Sequence, residues 1–203
     1  MFAKRIAATA TALAAGATVA AVGATAPAAA DAGTAGWTRV PLAATEQLAA
    51  RKDCYKDLAV QHKRTGKFLV VENRQTGDLK NMIRATAAEP TAREFFELCI
   101  VGPGTEGAQV YLRSQKVRAF VQTEKFAGRL HGMLRARATA LSASTDLDMA
   151  VVDTQEATFT LKSTYVDKWV TVERNYPGTV DELVRAGRDA ASTGEEFVLW
   201  TLS

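Results

Sequence analysis

The stretch that decides how this chain is read is Phe159-Thr160-Leu161-Lys162-Ser163, then Lys168-Trp169-Val170-Thr171-Val172-Glu173, Gly178-Thr179-Val180, Val184-Arg185-Ala186 and Glu195-Glu196-Phe197-Val198-Leu199. Apolar and polar residues alternate within these pieces, and turn residues such as Tyr176-Pro177-Gly178 separate them. That is the pattern of short strands joined by hairpins. Moving the pattern back along the chain finds two relatives. The first has Leu58-Ala59-Val60, Phe68-Leu69-Val70-Val71-Glu72, Gly77-Asp78-Leu79, Ile83-Arg84-Ala85 and Glu94-Phe95-Phe96-Glu97-Leu98. The middle one has Val110-Tyr111-Leu112, Phe120-Val121-Gln122-Thr123-Glu124, Gly128-Arg129-Leu130, Leu134-Arg135-Ala136 and Leu147-Asp148-Met149.

The spacings agree between copies. From Val60, Leu112 or Leu161 to the ring residue is 8 positions each time, and from ring to glutamate is 4. From Ala85, Ala136 or Ala186 to the next apolar anchor is 11 positions, and the copies start 52 and then 49 residues apart. Four strands in each of three copies gives about twelve strands, too few blades for a propeller. The all-β solution is a β-trefoil with three pseudo-equivalent four-stranded repeats, at about 51–102, 103–153 and 154–203. Two strands per repeat close a barrel, and the remaining hairpins cap one end, leaving few free edges.

These same runs, clearest in the third copy, resemble the fascin-like (actin-crosslinking) β-trefoil pattern over residues 55–203. The middle copy departs from it, with Thr145 where Glu94 and Glu195 sit and Leu147 in place of a phenylalanine. The resemblance implies the fold. Function has to be argued from the site, because one trefoil scaffold hosts many activities.

The start of the chain has another character. Residues 1–30 hold 15 alanines, Lys4 and Arg5 as the only charges, and no acid. A basic start, an apolar stretch from Ile6 to about Gly23 and the small-residue exit Ala28-Ala29-Ala30 read as a secretory signal peptide. Its removal leaves 23 basic against 22 acidic residues, a charge of +1. That balance argues against nucleic acid as a partner, since phosphate contacts need a concentrated basic face. Nor is a membrane expected to hold the chain once the leader is cut. In an oxidising compartment Cys54 and Cys99 are expected to form a disulfide. No metal site is expected from His62 and His131, which lack ligand spacing.

Catalysis and cofactors are not expected either. Neither histidine stands in a nucleophile context. The glycines Gly77, Gly128 and Gly178 do not join a strand to a helix, as a phosphate loop would. Glu72, Glu124 and Glu173 recur with Arg84, Arg135 and Arg185, and are read as one acid and one base per repeat tying each hairpin to the barrel. Phe68, Phe120 and Trp169, with Phe96, Phe159 and Phe197, are read as inward-facing core residues.

What remains for binding are the hairpin tips, with Phe126, Asn175 and Tyr176, and the N-terminal arm of residues 31–50. The arm carries Trp37, Arg39 and Pro41 and is expected to be extended, offering itself to a partner; the competing account is that it lies against the barrel with Trp37 plugging the open end. The reading is a secreted, non-catalytic adaptor for another secreted protein in a larger extracellular assembly. In size and export it is similar to the trefoil adaptors of umbrella-type toxin particles. The alternative is a glycan-binding module for extracellular or cell-wall polysaccharide, although the Gln-x-Trp signature of ricin-type lectins is absent from all three copies.

Overall fold

A computed structural model describes residues 36–91 and 94–202; the expected signal peptide lies outside them. The arm contributes β1 (Trp37–Arg39) and a short helix α1 (Thr45–Ala49). The first repeat holds β2 (Cys54–His62), β3 (Lys67–Glu72), β4 (Met82–Ala87) and β5 (Phe96–Pro103). The second holds β6 (Ala108–Ser114), β7 (Ala119–Lys125), β8 (His131–Ala138) and β9 (Leu147–Asp153). The third holds β10 (Thr158–Ser163), β11 (Lys168–Glu173), β12 (Leu183–Arg188) and β13 (Phe197–Leu202). The four strands per repeat expected from the sequence are all present.

Six of these strands close a ring of antiparallel pairings: β2 on β5, β5 on β6, β6 on β9, β9 on β10, β10 on β13 and β13 on β2. The hairpins β3–β4, β7–β8 and β11–β12 stand on one end, where β4, β8 and β12 also pair with one another. This is a β-trefoil. Closure leaves the barrel strands paired on both sides, which removes the exposed edges that invite aggregation.

Inside the barrel the repeats contribute matching side chains around the three-fold axis. Val60, Leu112 and Leu161 form one set, Ile83, Leu134 and Val184 a second, and Phe96, Leu147 and Phe197 a third, all buried. About 20 Å³ of space, lined by apolar side chains, is left among them, room for about one water and with no polar side chain to hold it. Beyond the barrel a second apolar layer fills the hairpin cap. Met82, Met133 and Leu183 lie fully buried there beside Val180, with Leu79 and Leu130 against them.

The ring residues correct one expectation. Strand alternation sends Leu69, Val121 and Val170 inward, so Phe68, Phe120 and Trp169 point away from the axis. Phe120 and Trp169 are half-buried, each beside a cation of the neighbouring strand: Arg113 at 5.6 Å and Lys162 at 5.8 Å from the ring centres. Phe68 alone is buried, in a separate cluster with Ala59, Val198 and Trp200.

The arm packs on that cluster through Trp37, which corrects a second expectation. Trp37, Thr38 and Arg39 pair with Leu202, Thr201 and Trp200 of β13. Trp37 meets Phe95 edge-on at 5.3 Å and Arg39 lies 5.3 Å over the Trp200 ring. Val40, Leu42 and Leu48 then join the main core, and the Val151 amide donates to Thr45 Oγ1 at 2.9 Å. The segment is therefore not extended throughout: past Pro41 it turns into α1. Its Val and Leu side chains are buried more favourably against the barrel than held in water, which decides its place.

Cys54 and Cys99 face each other across β2 and β5 and are joined as a disulfide, 45 residues apart in sequence. On the chain-entropy model a closed loop of that length stabilises by about 4 kcal/mol.

The recurring arginines do more than pair with their own glutamates. Arg84, Arg135 and Arg185 stand 3.6, 3.5 and 2.9 Å from Glu72, Glu124 and Glu173. Each also reaches into the preceding repeat. Arg84 Nε donates to the Asp181 carbonyl, Arg135 Nε to that of Lys80, and Arg185 Nη1 to that of His131. All three carbonyls end a short 3-10 turn that starts at Gly178, Gly77 or Gly128 with φ of 68°, 58° and 62°, the left-handed region where glycine is least strained.

Two sets of variants test this account in urea titrations. Arg135→Ala strands the Lys80 carbonyl and a mostly buried Glu124, so it is expected to cost about 3 kcal/mol. A loss under about 0.5 kcal/mol would deny the lacing its role. Leu48→Ala is expected to cost about 2–4 kcal/mol, as buried leucines do. Trp169→Ala is expected to stay near 1 kcal/mol. The opposite ranking of those two would mean that the arm is not part of the core.

Candidate functional site

Between neighbouring repeats the three-fold pattern makes a cleft. Its floor is the last residues of the second strand, one wall is the 3-10 turn before the fourth strand, and the other wall is the first hairpin turn of the next repeat. Where the third repeat meets the first, this cleft measures about 310 Å³. His62 and Arg64 come from the turn after β2, Arg174 and Asn175 follow β11, Arg188 ends β12, and Glu195 closes the 3-10 turn before β13.

The acids of this cleft are already occupied. Glu195 is 5% exposed and caps its own turn: Oε2 accepts from the Ser192 amide and hydroxyl, and Oε1 accepts from Thr171 Oγ1 at 3.0 Å. Thr145 performs the same capping in the second repeat, accepting from the Ser142 amide at 2.9 Å, so the departure noted in the sequence keeps the local structure. Glu173 is held by Arg185 and, at 3.6 Å, by Arg188.

His62 is buried at the cleft base. Its Nε2 lies 2.9 Å from the Gly194 carbonyl, which can only accept, so this nitrogen donates. Nδ1 is then free to accept from Thr65 Oγ1 at 3.0 Å. Burial pushes the imidazole below its ordinary pKa, the Gly194 carbonyl and Glu195 oppose the shift, and Arg64 and Arg174 add to it. Neither Arg64 nor Arg174 has a hydrogen bond or ion pair among the described residues.

The other two junctions differ. Between the first and second repeats Glu72, Asn73, Arg74, Glu94 and Lys116 line a wider opening of about 690 Å³, with Lys116 Nζ tied to the Val71 carbonyl at 2.8 Å. Between the second and third, Lys125 Nζ lies 3.7 Å over the Tyr165 ring and occupies the equivalent place.

The residues expected to bind a partner are scattered by the fold. Phe126 and Tyr176 are half-buried against the Met82, Met133 and Leu183 layer, with Arg135 and Arg185 within 5.6 and 5.9 Å of their rings. Trp37 and Arg39 rest on the chain's own barrel. Pro41 is exposed, and Asn175 is the one member of the set that lines the cleft. Arg64, Arg174 and Arg188 were not singled out from the sequence. The signal was available in the repeat itself, since Arg64, Lys116 and Tyr165 each stand four residues before the ring position. Among the described residues, Cys54, Glu97 and Cys99 group as metal-ligand types, but the two sulfurs are bonded to each other and are not thiolates.

No protein-family model and no curated protein matches the sequence. Solved structures do resemble the fold. An SDF2-like protein from Arabidopsis thaliana superposes with a TM-score of 0.59 at 10% identity, covering 75% of this chain and 98% of its own. A Caenorhabditis elegans protein of unknown function gives 0.58 at 12%, covering 74% and 96%. The designed three-fold symmetric protein ThreeFoil gives 0.52 at 16%, covering 70% and 96%. At such identities the likeness extends to the fold alone, and it agrees with the strand pairings: the chain is a β-trefoil.

The state of His62 sets a pH dependence. A lowered folded pKa means that the unfolded chain, with its imidazole near 6.5, binds the proton more readily. Stability from this group is complete above about pH 6.5 and declines as the pH falls towards the folded pKa. Thermal melts between pH 7.5 and 5 are expected to show that decline, and His62→Gln is expected to flatten it. An identical slope in the variant would assign the acid sensitivity elsewhere.

Proposed function

We propose that this chain is an exported, non-catalytic binding module that holds an extracellular glycan in the clefts between its repeats. The observation that carries the reading is the cleft at the junction of the third and first repeats. Its structural polar groups are mutually satisfied, while Arg64, Arg174 and Asn175 present unspent donors to a concavity of about 310 Å³. Small-ligand sites begin at about that volume, and a few placed polar groups give them their orientation. The Cys54–Cys99 disulfide supports a place outside the reducing cytoplasm. His62 has both ring nitrogens engaged in holding the turn, so it supports binding architecture rather than proton transfer.

The adaptor reading, in which the chain joins another secreted protein in an assembly such as a toxin particle, draws less support. Four of its six expected contact residues are engaged within the chain's own fold. The fascin-like resemblance likewise contributes the scaffold and leaves the ligand to the clefts.

Affinity electrophoresis of the purified full chain through gels containing xylan, galactan, pectin or chitin-derived polysaccharide tests the proposal. Retardation by at least one polysaccharide, relieved by Arg174→Ala, is expected. Free migration in every gel, with stoichiometric capture of a protein from culture supernatant, would replace the glycan reading with the adaptor.

A further inference from the structure

The cleft between the third and first repeats carries an excess of positive charge that no structural role uses. Arg64, Arg174 and Arg188 come from three separate segments and converge on one concavity. Arg188 is committed to Glu173 and stands 3.8 Å from Glu195. Both acids are in turn occupied by Arg185, Ser192 and Thr171. Among the described residues, what remains without an ion-pair partner is the pair Arg64 and Arg174. Both are exposed at the mouth of the cleft that has the buried His62 at its base. Two exposed guanidiniums lining one opening attract an anion there, by an amount that salt screens.

The equivalent positions sharpen the contrast. Lys116 gives its ammonium to the Val71 carbonyl and Lys125 gives its own to the Tyr165 ring. The junction of the third and first repeats is where both the turn cation and the hairpin cation lack an internal partner among the described residues. Guanidinium is the group suited to this task, because its planar fork matches a carboxylate or sulfate with paired hydrogen bonds. Asn175 adds a neutral donor and acceptor of the kind that sugar hydroxyls use.

Resting on the glycan reading above, we infer that this cleft is a subsite for an acidic sugar, with Arg64 and Arg174 clamping its carboxylate or sulfate group and Asn175 beside them. The inference names a feature of the ligand that the other two junctions do not demand. It also gives the module a direction along its glycan, because one junction prefers the charged residue.

Isothermal titration of the full chain with trigalacturonate, a sulfated galactose disaccharide, neutral galactotriose and inorganic sulfate tests it. At least one acidic oligosaccharide is expected to bind ten or more times as tightly as galactotriose, with affinity falling as salt is raised. The double variant R64A/R174A is expected to lose at least tenfold for that acidic sugar and little for the neutral one. Arg118→Ala, an exposed arginine outside the cleft, is expected to change neither. Nuclear magnetic resonance titration of His62 supplies a second readout: saturation with the acidic sugar should raise its pKa, since it cancels the field of the two guanidiniums. Equal affinity for acidic and neutral sugars, or an unaffected double variant, overturns the acidic subsite and leaves glycan binding standing. Inorganic sulfate binding as tightly as the sulfated sugar would reduce the cleft to a simple anion site. Binding of no saccharide at all overturns both readings.

Discussion

Each repeat of this protein is finished by its neighbour. The 3-10 turns that begin at Gly77, Gly128 and Gly178 each end on a carbonyl that the neighbouring repeat reaches, close to the buried methionine and leucine layer. The arginine of the following repeat supplies the donor in every case, while the glutamate at the end of its own second strand holds the guanidinium in place. Hydrogen bonds with a charged donor are the stronger kind, so each cap gains from the arrival of the neighbouring repeat. The three repeats consequently close as a ring, through contacts that are distant in sequence. The Ala85 amide on the Glu182 carbonyl and the Ala136 amide on the Asn81 carbonyl follow the same circuit.

Against that symmetric frame the N-terminal segment acts on one side only. By adding β1 to the outer edge of β13 it covers Trp200, Val198 and Phe68, and so buries one ring position out of three. Phe120 and Trp169, without such a cover, stay half-exposed and are shielded by Arg113 and Lys162 instead. The disulfide between the start of β2 and β5 secures the barrel strands next to which this segment enters. The same asymmetry continues into the clefts. One is open with two arginines that have no partner among the described residues, one is wide with its lysine tied back, and one has a lysine resting on a tyrosine. A symmetric scaffold thus carries three different surfaces, which is the usual way in which one fold comes to serve particular ligands.

Much of the architecture was legible in the linear chain. The constant spacings between ring, glutamate and Ala-linked anchors located all twelve repeat strands and the acid–base pair of each repeat, and the count of two cysteines in a chain read as exported gave the partnership of Cys54 with Cys99. Two features were not legible for reasons that are physical. Alternation states which residues share a face but not which face is the core, so Phe68, Phe120 and Trp169 were placed inward when the smaller Leu69, Val121 and Val170 fill the axis. Aromatic tips such as Phe126 and Tyr176 looked free because the layer they rest on is assembled from three repeats at once.

What the sequence determined by itself is the three-fold count and the place of each strand, which follow from local alternation, turn chemistry and repetition, and the disulfide, which follows from two cysteines in a chain read as exported. What only the tertiary structure decided is the use of everything outside that repeat. A tryptophan, an arginine and a proline in an N-terminal segment read as bait for a partner, and what places them on the barrel instead is the end of β13 at Trp200–Leu202, which runs on past its pairing with β10 and receives β1. The cleft arginines likewise have no meaning in sequence order: Arg64 and Arg174 are separated by most of the domain, and it is ring closure that brings the first turn beside the last hairpin. Charge that is dispersed along the chain becomes concentrated there because the fold returns to its beginning.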